Sequence, residues 1–266
     1  MPQPSPEVEA ERTNVDKLLR DWPYDPENAI RVLNEGEDCE VLQIRIDQGG
    51  FQGILQMDLD GRPDGGRPDD AEFCLDFQRA RLASYKEENG SDEGFLLDGD
   101  TCAELFDEGF RVYQRYVFLL QLQDYPRVIR DTIRNMELFR FVNRYAEAEE
   151  DRLNLEKWWP YIIRIHAEAQ ALQAVEQKHY DAALGVVEEA RAVIEKLSDV
   201  NAEEFYYEKG RSIQELAKLE EAIAERKPLS SEERLRRELK KAVRGEEFER
   251  AAVLRDRLRA LSQTEG

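Results

Sequence analysis

The apolar positions of the chain follow two periods. Between Cys39 and Gly61 they alternate, with Leu42, Ile44 and Ile46 in one run and Leu55, Met57 and Leu59 in the next, on either side of Gly49-Gly50. Alternation puts each set on one side of a strand, so the stretch predicts a β-hairpin with one apolar face. Two strands alone are marginal in water, so that face must lie against neighbouring helices or further strands. Before it, Val15 to Asn34 reads as one or two short helices interrupted at DWPYDP by its prolines. From about Asp70 the period becomes helical. Phe73 and Phe77 share a face, and EENGSDEG breaks the pattern around residues 87 to 94. Phe106, Phe110, Tyr113, Val117 and Leu120 then recur at spacings of 4, 3, 4 and 3, which predicts an amphipathic helix with this stripe as its core face. Gln123 and Asp124 interrupt it. Tyr125-Pro126 opens the next helix, lined by Ile129, Ile133 and Met136, so two antiparallel helices joined by a short turn are expected. A second pair starts near Trp158-Trp159-Pro160 with Ile162, Ile165, Ala169 and Leu172. It turns at QKHYD and continues through Ala183, Val187, Ala190 and Ile194. A further helix, Ala202 to Glu225, stops at Lys227-Pro228.

The two pairs are related. YPRVIRDTIRNMEL, from Tyr125, aligns with YDAALGVVEEARAV, from Tyr180, at an offset of 55 residues. Tyr180, Ala183 and Ala190 match the tyrosine and the two small residues in the second helix of a tetratricopeptide repeat, with Val187 at its aromatic position. Residues 104 to 197 thus resemble such repeats, although the unit is longer than their ~34 residues. The resemblance implies stacked helical hairpins. The expected fold is therefore mainly α: an acidic α+β region over 1–100 with the β-hairpin near 39–59, a helical-repeat region over 101–226, and a separate C-terminal hairpin over 229–262.

That last segment begins after Pro228. Ser230 is placed to cap a helix, with Glu233 closing a capping box, and Leu235, Leu239, Ala242 and Val243 form its apolar stripe. Gly245 stands where a left-handed residue would end that helix. Phe248, Ala251, Ala252, Leu254, Leu258 and Leu261 supply the apolar face of the next, and the paired alanines let two helices approach closely. Arg255 and Asp256 point elsewhere, available for charge pairing. EEFERAAVLRDRLRAL, with Glu246, Phe248, Glu249, Ala251, Ala252, Leu254, Arg255, Asp256 and Leu258 in register, resembles the UVR domain, the UvrB/UvrC motif. The resemblance implies a helical hairpin that mediates protein contacts, as between the excision-repair subunits UvrB and UvrC or within regulators of Clp-type proteases. On that basis the partner-binding residues are Leu239, Val243, Phe248, Ala251, Ala252, Leu254, Arg255, Asp256 and Leu258. A hairpin of this size buries too little on its own, so it must dock on its own chain, self-associate or meet a partner.

Charge narrows the partners. The net charge is −20, and residues 1 to 110 carry 10 Lys and Arg against 28 Asp and Glu, a net −18; residues 229 to 266 carry 10 against 8, a net +2. Nucleic acid is bound by neutralising phosphates, so direct nucleic-acid binding is not expected over most of the surface. No apolar run approaches the ~18 residues of a membrane span, and Cys39, Cys74 and Cys102 show no metal or disulfide spacing. A cytoplasmic protein without a metal or cofactor fits these features. The Asp58–Asp60 stretch opens like a calcium loop, but Arg62 occupies a position that needs an oxygen ligand. His166, beside the Ile162 to Leu172 stripe, reads as a hydrogen-bonded interfacial histidine. With no nucleophile elbow or phosphate-binding loop, no enzymatic activity is expected. An adaptor or scaffold is the leading expectation, and an accessory factor in nucleotide excision repair or Clp-type protease regulation is the alternative.

Overall fold

The computed structural model describes residues 15–34, 40–228 and 231–264, with side chains at all of these except 16, 231–233 and 260–264. Cys39 and the Ser230 end of the capping box lie outside the described residues. The architecture is mainly α, with a small sheet near the N-terminus. The chain divides into two compact units, one running to Leu219 and the other from Glu220 onward.

In the first unit, α1 (Val15–Asp21) leads into three antiparallel strands in the order β1 (Ile30–Asn34), β2 (Glu40–Gln48) and β3 (Phe51–Asp58). The hairpin read from alternation is β2 and β3, in a register that pairs Leu42 with Met57 and Ile44 with Leu55. Residues 30 to 34 correct the helical reading: they form a strand on β2, with Val32 opposite Leu42. Five residues are too few to separate a period of two from one of 3.6, and pairing with β2 decides the outcome. Leu42 and Ile44 pack into one core with Val112, Tyr116, Leu119, Tyr125 and Val128. The acidic N-terminal region therefore shares its core with the helices that follow.

Those helices are α2 (Cys74–Asn89), α3 (Gly99–Gln121), α4 (Tyr125–Tyr145), α5 (Glu149–Glu156), α6 (Trp159–Glu176), α7 (Tyr180–Glu195) and α8 (Glu203–Arg226), whose residues from Glu220 onward belong to the second unit. The paired helices expected from the sequence are α3 with α4 and α6 with α7, and Ala183, Val187, Ala190 and Ile194 are buried as their spacing requires. The stripe on α3 is corrected by one residue. Its buried line is Cys102, Leu105, Val112, Tyr116 and Leu119, while Phe110 is 57% exposed and stacks on Tyr113. One residue is about 100° of helix. Because α3 is covered on more than one side, the aromatic stripe becomes a half-buried flank. Ile133 is likewise exposed on α4.

Polar groups fasten this body together. Phe73 cannot cap α2 with its side chain, so the buried carboxylate of Glu108 on α3 does so, accepting from the amides of Cys74 (2.6 Å) and Leu75 (3.1 Å). Burial raises the Glu108 pKa, and these two bonds oppose the shift. Arg115 on α3 meets Asp131 on α4 in a two-pronged pair at 2.7 and 2.9 Å, both side chains 1% exposed. Its remaining nitrogen donates to the carbonyls of Asp58 and Gly61, and Arg130 donates to that of Leu59. The loop after β3 is thus clamped onto both helices. Cys74 and Cys102 are buried thiols, each with a pKa pushed up to about 11, mainly by burial.

Glu156, near α6, offers a pH test. Burial raises its carboxyl above the ordinary 4.5, while hydrogen bonds from Trp159 and Asn143 lower it. An acid whose pKa is raised by folding stabilises the fold fully below its unfolded value, and that contribution is lost as pH rises through the folded value. Glu156→Gln keeps an acceptor for Trp159 and cannot ionise. Its urea midpoint is expected above wild type at neutral pH, with the difference disappearing below pH 4.5. An equal gain at both pH values would contradict this assignment.

Candidate functional site

The second unit contains α9 (Ser231–Arg244) and α10 (Phe248–Thr264), packed on each other. Its inner face is Leu235, Leu239 and Ala242 from α9 against Ala251 and Leu254 from α10. Ala242 and Ala251 are both buried, so the close approach anticipated from the paired alanines takes place between these two positions.

The turn between the helices corrects one expectation. Gly245 is not the left-handed residue; Glu246 is, with φ 57°. Its amide donates to the carbonyl of Val243 (3.2 Å) and that of Glu247 to the carbonyl of Ala242 (2.9 Å), the paired bonds of a Schellman cap with its left-handed position at Glu246. A Cβ on Gly245 would meet its neighbours at 3.5 Å, an ordinary contact. Gly245→Ala should therefore be tolerated, whereas Glu246→Gly should relieve up to about 1 kcal/mol of left-handed strain. In the full chain, that relief is expected as slower amide exchange in α9 and α10. Faster exchange in Gly245→Ala would contradict the assignment.

The same turn occurs twice in the first unit. Gln123 (φ 61°) and Lys178 (φ 63°) occupy the left-handed position. Gln123 donates to Leu120 and Asp124 to Leu119; Lys178 donates to Val175 and His179 to Ala174. Two residues after the left-handed position comes an aromatic residue: Tyr125, Tyr180 or Phe248. Three residues further, the amides of Val128, Ala183 and Ala251 bond back to the carbonyls of Asp124, His179 and Glu247. The C-terminal hairpin and both body hairpins therefore share one turn, a relation visible in the sequence only as the 55-residue offset between the first two.

Equivalent positions differ in what covers them. Tyr125 is 5% exposed, packed in the core that includes the sheet, and Tyr180 is half-buried. Phe248 is 69% exposed, and Val243 at the end of α9 is 53% exposed. Of the residues expected to bind a partner, Leu239, Ala251 and Leu254 build the inside of the hairpin, and Ala252 and Leu258 are half-buried. Val243 and Phe248 are open. Arg255 and Asp256 are exposed and pair with each other at 3.6 Å. Among the described residues, Val253 is a third open apolar side chain of the hairpin. Its signal in the sequence is a valine off the Ala251, Leu254, Leu258 line. On α9, Arg237, Lys240, Lys241 and Arg244, at spacings that put them on one side of the helix, line a shallow depression together with Glu238, so four cations there face one acid. Open apolar groups beside a row of cations are suited to binding a protein surface.

Residues 233–264 match the UVR family model, described as the UvrB/uvrC motif. No curated protein and no solved structure matches the chain. Among the described residues, no helix is long and apolar enough to cross a membrane.

Proposed function

With the UvrB/uvrC motif at residues 233–264 as premise, we propose that the chain is a non-catalytic cytoplasmic adaptor or scaffold. Its C-terminal hairpin docks a protein partner or a second copy, and its helical body serves a different partner. The observation that carries this reading is Phe248: a large apolar side chain, 69% exposed, at the turn position where Tyr125 is covered. Exposed aromatics beside arginines are the groups that anchor protein interfaces, because they bring much apolar area at a small entropic cost. The row Arg237, Lys240, Lys241 and Arg244 favours a partner with an acidic rim, which would speed encounter and set orientation.

Ending the chain at Pro228 tests the reading. Light scattering after size exclusion, together with affinity capture from the native cell, is expected to show a lost self-association or a lost partner. An unchanged oligomeric state and an unchanged set of captured proteins would contradict it. The local net charge of +2 supports a second reading, an accessory factor in nucleotide excision repair. On that reading a deletion strain is sensitive to ultraviolet light, and normal survival counts against it.

A further inference from the structure

An open groove of about 620 Å³ lies between α4, α6 and α7. Met136, Ile163, Ala167 and Ala190 give it an apolar lining, and Arg140, His166 and Glu189 contribute polar groups. Two of these are in specific chemical states.

Arg140 lies over the ring of Trp159, 5.2 Å from its centroid. Among the described residues it has no carboxylate within ion-pair distance, although acids outnumber bases 58 to 38 in this chain. An arginine held on an aromatic face keeps its edge donors available for a carboxylate.

His166 is fixed by Thr132. The Thr132 hydroxyl lies 2.7 Å from the carbonyl of Val128 and 3.0 Å from that of Ile129. Its single proton goes to those carbonyls, since otherwise oxygens would face each other with no hydrogen between them. In the 2.8 Å contact with His166, Nδ1 is therefore the donor and the hydroxyl the acceptor. That tautomer leaves Nε2 as an acceptor, on a ring that lines the groove. Burial holds the imidazole pKa below 6.5, so the neutral state persists at neutral pH.

We infer that this groove binds an extended peptide segment in which an aliphatic or aromatic residue stands beside an aspartate or glutamate. The apolar side chain covers the apolar lining, the carboxylate meets Arg140, and a backbone amide donates to His166 Nε2. An extended segment is required because a helix has already committed its amides to its own carbonyls, whereas an open strand still carries free donors. A single carboxylate matches Arg140, the one cation in the groove's lining, and Glu189 in the same lining disfavours a run of acids. The inference deepens the reading of the chain as an adaptor by giving the body's partner a chemistry. It rests on that reading only in assigning the body a partner at all.

Selection of random peptides displayed on phage against the full-length protein tests it, followed by fluorescence anisotropy with the enriched peptides. The expected result is a shared pattern of an apolar residue beside Asp or Glu, with binding weakened by about tenfold or more in Arg140→Glu. Arg140→Gln, which removes the charge without reversing it, should lie between that variant and wild type. Phe248→Asp should bind these peptides as wild type does. Peptides without the acidic-apolar pattern, or binding unaffected by both Arg140 variants, would overturn the inference. So would loss of binding in Phe248→Asp, which would place the peptides on the C-terminal hairpin. A chain ended at Pro228 that keeps all its partners sinks the docking role of the hairpin and leaves the groove result standing.

Discussion

Replacing Arg115 with alanine is expected to destabilise the first unit by roughly 3–5 kcal/mol, a large part of the stability of an ordinary domain. Three features set the size of the effect. Arg115 and Asp131 are both 1% exposed, so deleting the cation strands a carboxylate in the interior with one remaining charged donor, the Nε of Arg130 at 3.0 Å. The carbonyls of Asp58 and Gly61 lose the donor they share, which frees the loop after β3. The helix pair also loses a buried polar contact between α3 and α4, leaving that of Asn135 with the Gly109 carbonyl. Replacing both partners together with apolar residues of similar size removes the stranded charge and should recover part of the loss. Guanidinium unfolding followed by tryptophan fluorescence reads the difference. A midpoint within error of wild type for Arg115→Ala would mean that the pair is not the fastener described here.

This pair was not legible in the sequence, for a physical reason. An arginine and an aspartate 16 residues apart look like two of the chain's many surface charges until the helices carrying them are placed side by side. The only trace is position: Arg115 stands three residues after Val112 and four before Leu119, beside Tyr116, and Asp131 lies between Val128 and Thr132. Glu108 was hidden for the same reason, since the amides it caps belong to a helix 33 and 34 residues earlier. What could be read was whatever depends on local period. The β2–β3 hairpin, the two helix pairs and the inner face of α7 all followed from spacing alone. The α3 stripe shows where this fails. Period identifies an apolar face, but the neighbours decide which side of a broad face is covered, and here they left Phe110 exposed. At the C-terminal hairpin the sequence named the right segment and did not divide inside from outside. Leu239, Ala251 and Leu254 serve the hairpin's own packing, and the exposed Val253 was not singled out. Gly245 misled because glycine is the usual left-handed residue, while the hydrogen bonds of this turn put that position at Glu246.

The second large effect is expected at Phe248. The side chain is 69% exposed, so placing a carboxylate there should leave the fold intact: circular dichroism melts of Phe248→Asp and wild type should superimpose. In a complex the same position would be desolvated, and burying an unpaired carboxylate costs several kcal/mol, enough to weaken docking by two or more orders of magnitude. Few other substitutions separate folding from binding so cleanly, because Leu254→Asp or Ala251→Asp would damage the hairpin itself. The measurement is a matched affinity purification from the native cell with the full chain and with Phe248→Asp. A docking hairpin predicts that at least one protein, or a second copy of the chain, accompanies wild type and is absent from the well-folded variant. The same partners recovered with both would contradict it.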